Sequence, residues 1–139
     1  MSTKVILDLD GVLRDLSKAL RNRFHIPWYP DRWDFKIDNL GIFEWFRKDL
    51  TILETAPTTK YFNIIKEYTK DKNVEIWTCQ TKEWEIYTLN WIKKYFPKAE
   101  IKILNTEEKE KLLYERQDCI LIEDSPFFKN YSKKNRYKK

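Results

Sequence analysis

Asp8 and Asp10 are the first residues of this chain whose type and spacing suggest chemistry. They stand two positions apart at the end of the apolar run "KVILDLD", and Gly11 comes directly after them. Side chains alternate across a strand, so the two carboxylates share one face. A second acidic pair, Glu123 and Asp124, closes the run "CILIED" in the same way. Carboxylates gathered at one edge repel each other unless a cation neutralises them. A hard divalent ion with oxygen ligands, Mg²⁺ above all, suits such a group. Thr78 ends a third apolar run, "VEIWT", with a hydroxyl, and Lys109 and Lys111 supply positive charge from "TEEKEK". Together these are a nucleophilic carboxylate, an acid–base carboxylate, a metal, a hydroxyl and a cation. Those parts suffice to bind a phosphate dianion and displace its ester.

Positioning these groups needs strands that end at a common edge. "KVILDLD", "VEIWT", "EIKIL" and "CILIED" read as four strands, each short, apolar and rich in β-branched residues. Helical patterns alternate with them. "TTKYFNIIKEYTKD" sets Tyr61, Phe62, Ile64, Ile65 and Tyr68 on one face, with Thr58 or Thr59 as N-cap. "KEWEIYTLNWIKKYF" carries Trp84, Tyr87, Trp91 and Tyr95 along one stripe, and Pro97 ends it. "TEEKEKLLYER" is a third helix, with Thr106 as its cap. Strand alternating with helix implies right-handed crossovers and a parallel sheet covered on both faces. Ligands of such sheets bind outside the carboxyl ends of the strands, where both aspartates lie. Gly11 allows a sharp turn there and lets backbone approach a ligand closely.

The stretch 14–57 breaks the alternation. "RDLSKALRNRF" reads as a polar-faced helix, Pro27 and Pro30 keep "HIPWYPDRWDFKIDNLG" irregular, "IFEWFRKDL" is a short helix, and "ETAPTT" leads back to the main body. The expected architecture is therefore an α/β, Rossmann-like three-layer sandwich of about four parallel strands, with a small helical cap inserted after the first. Residues 1–13 and 58–128 form the core, 14–57 the cap, and 129–139 a basic tail that reads as a solubilising, frayed terminus. The cap is dense in aromatics. Trp28, Trp33 and Phe43 are candidates to stack on a nucleobase, while the others hold so short an insert together.

The 139 residues favour one domain with a real core, and six Trp argue against disorder. The net charge of +5 sits largely in the tail, which leaves weak affinity for nucleic acid as a secondary reading. Cys79 and Cys119 have no Cys/His ligand spacing around them and read as reduced thiols. No leader and no apolar run long enough to span a bilayer is visible, so a soluble, cytoplasmic protein is expected, without a membrane partner. Nothing in the pattern fixes an oligomeric state.

The constellation resembles the phosphatase branch of the haloacid dehalogenase superfamily. "DLDGV", from Asp8 to Val12, is similar to that family's first motif, and "VEIWT" to its second, a hydrophobic strand ending in Thr or Ser. "CILIEDSP" is similar to its fourth. The family's spacing for the third motif, a Lys ahead of the last acidic pair, favours Lys109 over Lys111. Within the superfamily, "DLDGVLRDL", the short insert and "WTCQTKEWEIYTLNWIKKYFP" look most like the 5′(3′)-deoxyribonucleotidases. Their last motif commonly ends in two Asp, whereas Glu123 stands first here, as in sugar-phosphate members.

The resemblance implies a phosphatase acting on nucleoside monophosphates, with sugar phosphates or nucleic-acid ends as alternatives. A phosphate-binding regulatory module without catalysis is the alternative of another class. It further implies that Asp8 attacks phosphorus and that Asp10 serves as acid and then base. Mg²⁺ would bind Asp8, the backbone carbonyl of Asp10, Asp124 and Glu123. Thr78 and the amides of Cys79 and Gln80 would hold phosphate oxygens, and Lys109 would offset the charge. Gly11 belongs to the same phosphate-side loop. Arg14, just past the turn, is expected to meet phosphate or cap local carbonyls.

Overall fold

A computed structural model describes residues 4–26, 36–115, 119–122 and 136–137. Among these residues five strands form one parallel sheet: β1 (Lys4–Leu7), β2 (Asn73–Thr78), β3 (Glu100–Ile103), β4 (Ile120–Ile122) and β5 (Arg136–Tyr137). Their spatial order is β3-β2-β1-β4-β5. The four strands legible in the sequence are all present. The fifth comes from the basic tail, two residues of which pair with β4 where the composition suggested a frayed end.

Alternation along β1 sends neighbouring side chains to opposite faces. Val5 and Leu7 join the larger core, with Ile76 and Ile122 from the flanking strands. Helices α4 (Phe62–Thr69) and α5 (Glu85–Tyr95) cover that face through Phe62, Ile65, Trp91 and Ile92. Ile6 points the other way, into a smaller cluster with Trp77, Leu121 and Cys119, covered by Leu113 of α6 (Thr106–Glu115). The result is a Rossmann-like three-layer α/β fold. The order reverses at β1, because the chain builds β2 and β3 on one side and then places β4 on the other. That makes the carboxyl end of β1 the topological switch point.

The insert contributes α1 (Leu16–Phe24), α2 (Ile42–Arg47) and α3 (Ile52–Thr55). Its ends are clipped together: Asp15 N–H donates to Pro57 O at 2.9 Å, Thr59 N–H to Leu13 O at 2.9 Å, and Thr59 Oγ1 to Val12 O at 2.6 Å. Leu16, Leu20, Phe46 and Leu53 are buried in the same core as Val5, Leu7 and Trp91. The aromatics of α2 pack as the sequence suggested. Trp45 meets Phe24 with ring centroids 5.5 Å apart, and Phe46 meets Trp84 edge-on at 4.9 Å.

Several local expectations change. The first helix begins at Leu16 because Asp15 accepts the Lys18 N–H as its cap, leaving Arg14 in the loop. Helix α3 occupies part of the stretch read as a linker. Helix α4 starts at Phe62, with no side-chain cap; Thr59 is spent on Val12 and on the Tyr61 N–H. Its buried face is Phe62, Ile65 and Thr69, a 3.6-residue repeat that leaves Ile64 and Tyr68 exposed. Asn105, not Thr106, caps α6: its Oδ1 accepts from Glu108 N–H at 2.8 Å, and Glu108 Oε1 accepts from Asn105 N–H at 3.0 Å.

Candidate active site

The residues after β1 form a tight turn rather than a longer strand. Val12, Leu13 and Arg14 all direct their N–H groups at Leu9 O, and Gly11 N–H donates to Arg14 O at 3.0 Å. Gly11 holds φ at 85°, a left-handed conformation that a side chain would oppose. Asp8 and Asp10 flank buried Leu9 and emerge at the switch point.

Each aspartate meets a buried cation. Lys109 Nζ lies 3.4 Å from Asp8 Oδ1, and the lysine is only 2% exposed. Lys111, two positions along α6, is exposed. The structure thus brings Lys109 to Asp8 and turns Lys111 to solvent. Arg14 grips Asp10 with a fork: Nε to Oδ1 at 2.7 Å and Nη2 to Oδ2 at 3.2 Å. Arg14 is fully buried, and its Nη1 donates to Leu53 O and Thr88 Oγ1, each at 3.0 Å. It therefore faces the Asp10 carboxylate rather than an open phosphate site. Burial pushes the Asp10 carboxyl above the usual carboxylate range; Arg14 pulls it back in part, and the neighbouring Asp8 charge pushes up again.

Thr78 ends β2 beside this turn. It is buried, and its carbonyl accepts from Leu104 N–H at 2.9 Å. Cys79 is exposed and Cys119 buried, and neither is in a disulfide among the described residues. Gln80 turns inward, where its Oε1 accepts from Thr88 Oγ1 at 2.7 Å and its Nε2 is buried without a partner among the described residues. Phe43 lies over the start of the α5 segment, its ring 5.3 Å from Trp84. Trp28, Trp33, Glu123 and Asp124 lie outside the described residues. Asp8 N–H donates to Ile122 O at 3.0 Å, which joins the start of the turn to the end of β4. Among the described residues no three acidic, His or Cys side chains converge as a metal-binding group.

Sequence reasoning missed Thr88. Its signal was a hydroxyl four positions after Trp84 on an apolar stripe, where only a polar partner inside justifies it. It missed the pairing within the turn as well, although Asp10 and Arg14 are opposite charges four residues apart.

No family model matches the chain, and no curated protein matches it. Among solved structures, a hydrolase from Streptococcus pneumoniae TIGR4 superposes with a TM-score of 0.56 at 14% sequence identity, over 99% of this chain and 91% of that one. At that identity the likeness is one of fold, and it agrees with the three-layer α/β architecture. No helix among the described residues is long and apolar enough to cross a membrane.

Proposed function

We propose that the protein is a Mg²⁺-dependent phosphomonoester hydrolase, acting on nucleoside monophosphates through a phosphorylated Asp8. The observation that carries this reading is the pair of aspartates at the switch point, each with its own buried cation: Asp8 with Lys109, Asp10 with Arg14. The hydrolase character of the fold neighbour from Streptococcus pneumoniae is in keeping with it.

The donor chemistry fits a hard ion. Asp8 offers carboxylate oxygen, the turn offers the Asp10 carbonyl, and Glu123 and Asp124 come directly after Ile122, whose carbonyl accepts from Asp8 N–H. The Asp10 side chain is held by Arg14, so its part in metal binding falls to the main chain. Bound there, Mg²⁺ would neutralise phosphate oxygens and favour attack by an anionic carboxylate. Asp8 attacks phosphorus, and the ester P–O bond breaks as Asp10 gives its proton to the leaving alkoxide. Water then attacks the same phosphorus, Asp10 takes its proton, and the bond to Asp8 breaks, releasing phosphate. A carboxyl group pushed up by burial is a better proton donor at neutral pH than an ordinary one. Lys109 faces the nucleophile and offsets charge as oxygens gather it. Thr78 and the amides of Cys79 and Gln80 bind phosphate oxygens, and one or two of Phe43, Trp28 and Trp33 would stack on a base.

A screen of nucleoside monophosphates, sugar phosphates and end-phosphorylated oligonucleotides, each with and without Mg²⁺, tests this. The expected result is Mg²⁺-dependent phosphate release, fastest from a nucleoside monophosphate. Faster turnover of sugar phosphates would replace the substrate class. Tight phosphate binding without turnover of any ester would replace the enzyme with a binding module.

A further inference from the structure

A fully buried arginine beside the reactive edge needs an explanation. Its desolvation is unfavourable, and fixing one carboxylate does not by itself require a guanidinium. Four of the five Arg14 N–H groups are committed within the protein. Two hold both oxygens of Asp10, at 2.7 and 3.2 Å. One reaches Leu53 O in α3 of the insert, and one reaches Thr88 Oγ1 in α5. Thr88 Oγ1 in turn donates a hydrogen bond to Gln80 Oε1, in the loop after β2, at 2.7 Å. A bidentate fork fixes the plane of a carboxylate as well as its distance, which a point charge cannot do.

We propose that Arg14 is a positioning residue: it aims the Asp10 carboxyl at the leaving oxygen of the substrate and ties that aim to the insert through Leu53 and to the Gln80 loop through Thr88. The inference rests on the phosphatase reading of Asp10. It assigns Arg14 no contact with substrate.

The test is a pair of esters. An alkyl phosphate such as a nucleoside monophosphate expels an alkoxide that needs a proton from Asp10. Para-nitrophenyl phosphate expels a phenolate that leaves without one. Comparing kcat/KM for the two isolates aim from general damage, because both values scale alike with the folded fraction of a preparation. Positioned general acids contribute about 10²–10⁴-fold, so Arg14→Met should lower kcat/KM for the alkyl ester by at least about tenfold more than for the aryl ester. Arg14→Lys keeps the charge and loses the fork, and should not restore the ratio. Thr88→Val leaves Arg14 in place and should shift the ratio the same way, by less. An equal fall for both esters in Arg14→Met and Thr88→Val, or rescue by Arg14→Lys, overturns the role of Arg14. Failure of the wild type on both esters, or on the alkyl ester alone, overturns the inference through its premise. Turnover of both esters, abolished by Asp8→Asn but with an unmoved ratio in the Arg14 variants, overturns the inference alone.

Discussion

Replacing Arg14 with Met should destabilise the protein in a pH-dependent way. The variant leaves Asp10, whose side chain is only 12% exposed, with no opposite charge against its carboxylate among the described residues. Removing one partner of a buried ion pair costs about 3–5 kcal/mol. Leu53 O also loses its donor, a loss of about 1–3 kcal/mol when the group stays buried. The two overlap in one relaxation, so about 3–5 kcal/mol at neutral pH is the working figure, a large share of the roughly 5–15 kcal/mol typical of a whole domain. The sign of the pH dependence is set by Asp10. Its folded carboxyl is already raised above 3.8, chiefly by burial, and Arg14 is the main influence lowering it. A raised carboxyl contributes stability that is fully present below the unfolded value and is lost as pH rises through the folded one. Without Arg14 the folded value climbs further, so the variant keeps losing stability after the wild type has stopped. The gap between the two should therefore widen from acid, below the ordinary carboxylate value of 3.8, to neutral pH. At the acid end protonation spares Asp10, and only the Leu53 share, about 1–3 kcal/mol, should persist. Urea denaturation monitored by Trp fluorescence at acid and at neutral pH measures the gap. A gap that is constant with pH, or below about 1 kcal/mol at neutral pH, would show that the fork is not the stabilising contact described here.

Side-chain placement sets two further outcomes. Lys109→Met should lower kcat by orders of magnitude while Lys111→Met stays near wild type, because only Lys109 is buried against Asp8; initial rates on para-nitrophenyl phosphate check this. Ile65→Ala should cost about 2–5 kcal/mol and Ile64→Lys no more than about 0.5 kcal/mol, since the first is 4% exposed and the second 69%; urea midpoints of the two variants decide it.

The strands were legible because each is a short apolar run, although β1 ends at Leu7, before the turn that carries Asp8, Asp10 and Gly11. The acidic edge was legible because both aspartates directly follow that apolar run, but it is the turn around buried Leu9, not strand alternation, that holds them there. Helix phase was harder. Ile64 and Tyr68 are as apolar as Phe62 and Ile65, and only the sheet beneath decides which strip of α4 is covered. The cap of α6 was misplaced by one residue: the helix already includes Thr106, and Asn105 before it exchanges hydrogen bonds with Glu108. Arg14 was the largest gap. A sequence shows a cation after a turn, but the fold alone brings Leu53 and Thr88, 39 and 74 residues away, to the same guanidinium. The short fifth strand was hidden by charge, because a Lys-rich tail carries no apolar signal for an edge pairing.

The central claim is that Asp8 becomes phosphorylated, and trapping that species tests it most directly. Asp10→Asn removes the base for the second step, while para-nitrophenyl phosphate needs no acid for the first. In that variant, with Mg²⁺ present, acid quenching within the first turnovers and then peptide mass analysis should find one phosphoryl group on the peptide carrying Asp8, together with a burst of nitrophenolate. The label should vanish when Asp8→Asn is added. A nitrophenolate burst with no phosphorylated peptide, or a label that survives in the double variant, would contradict the account.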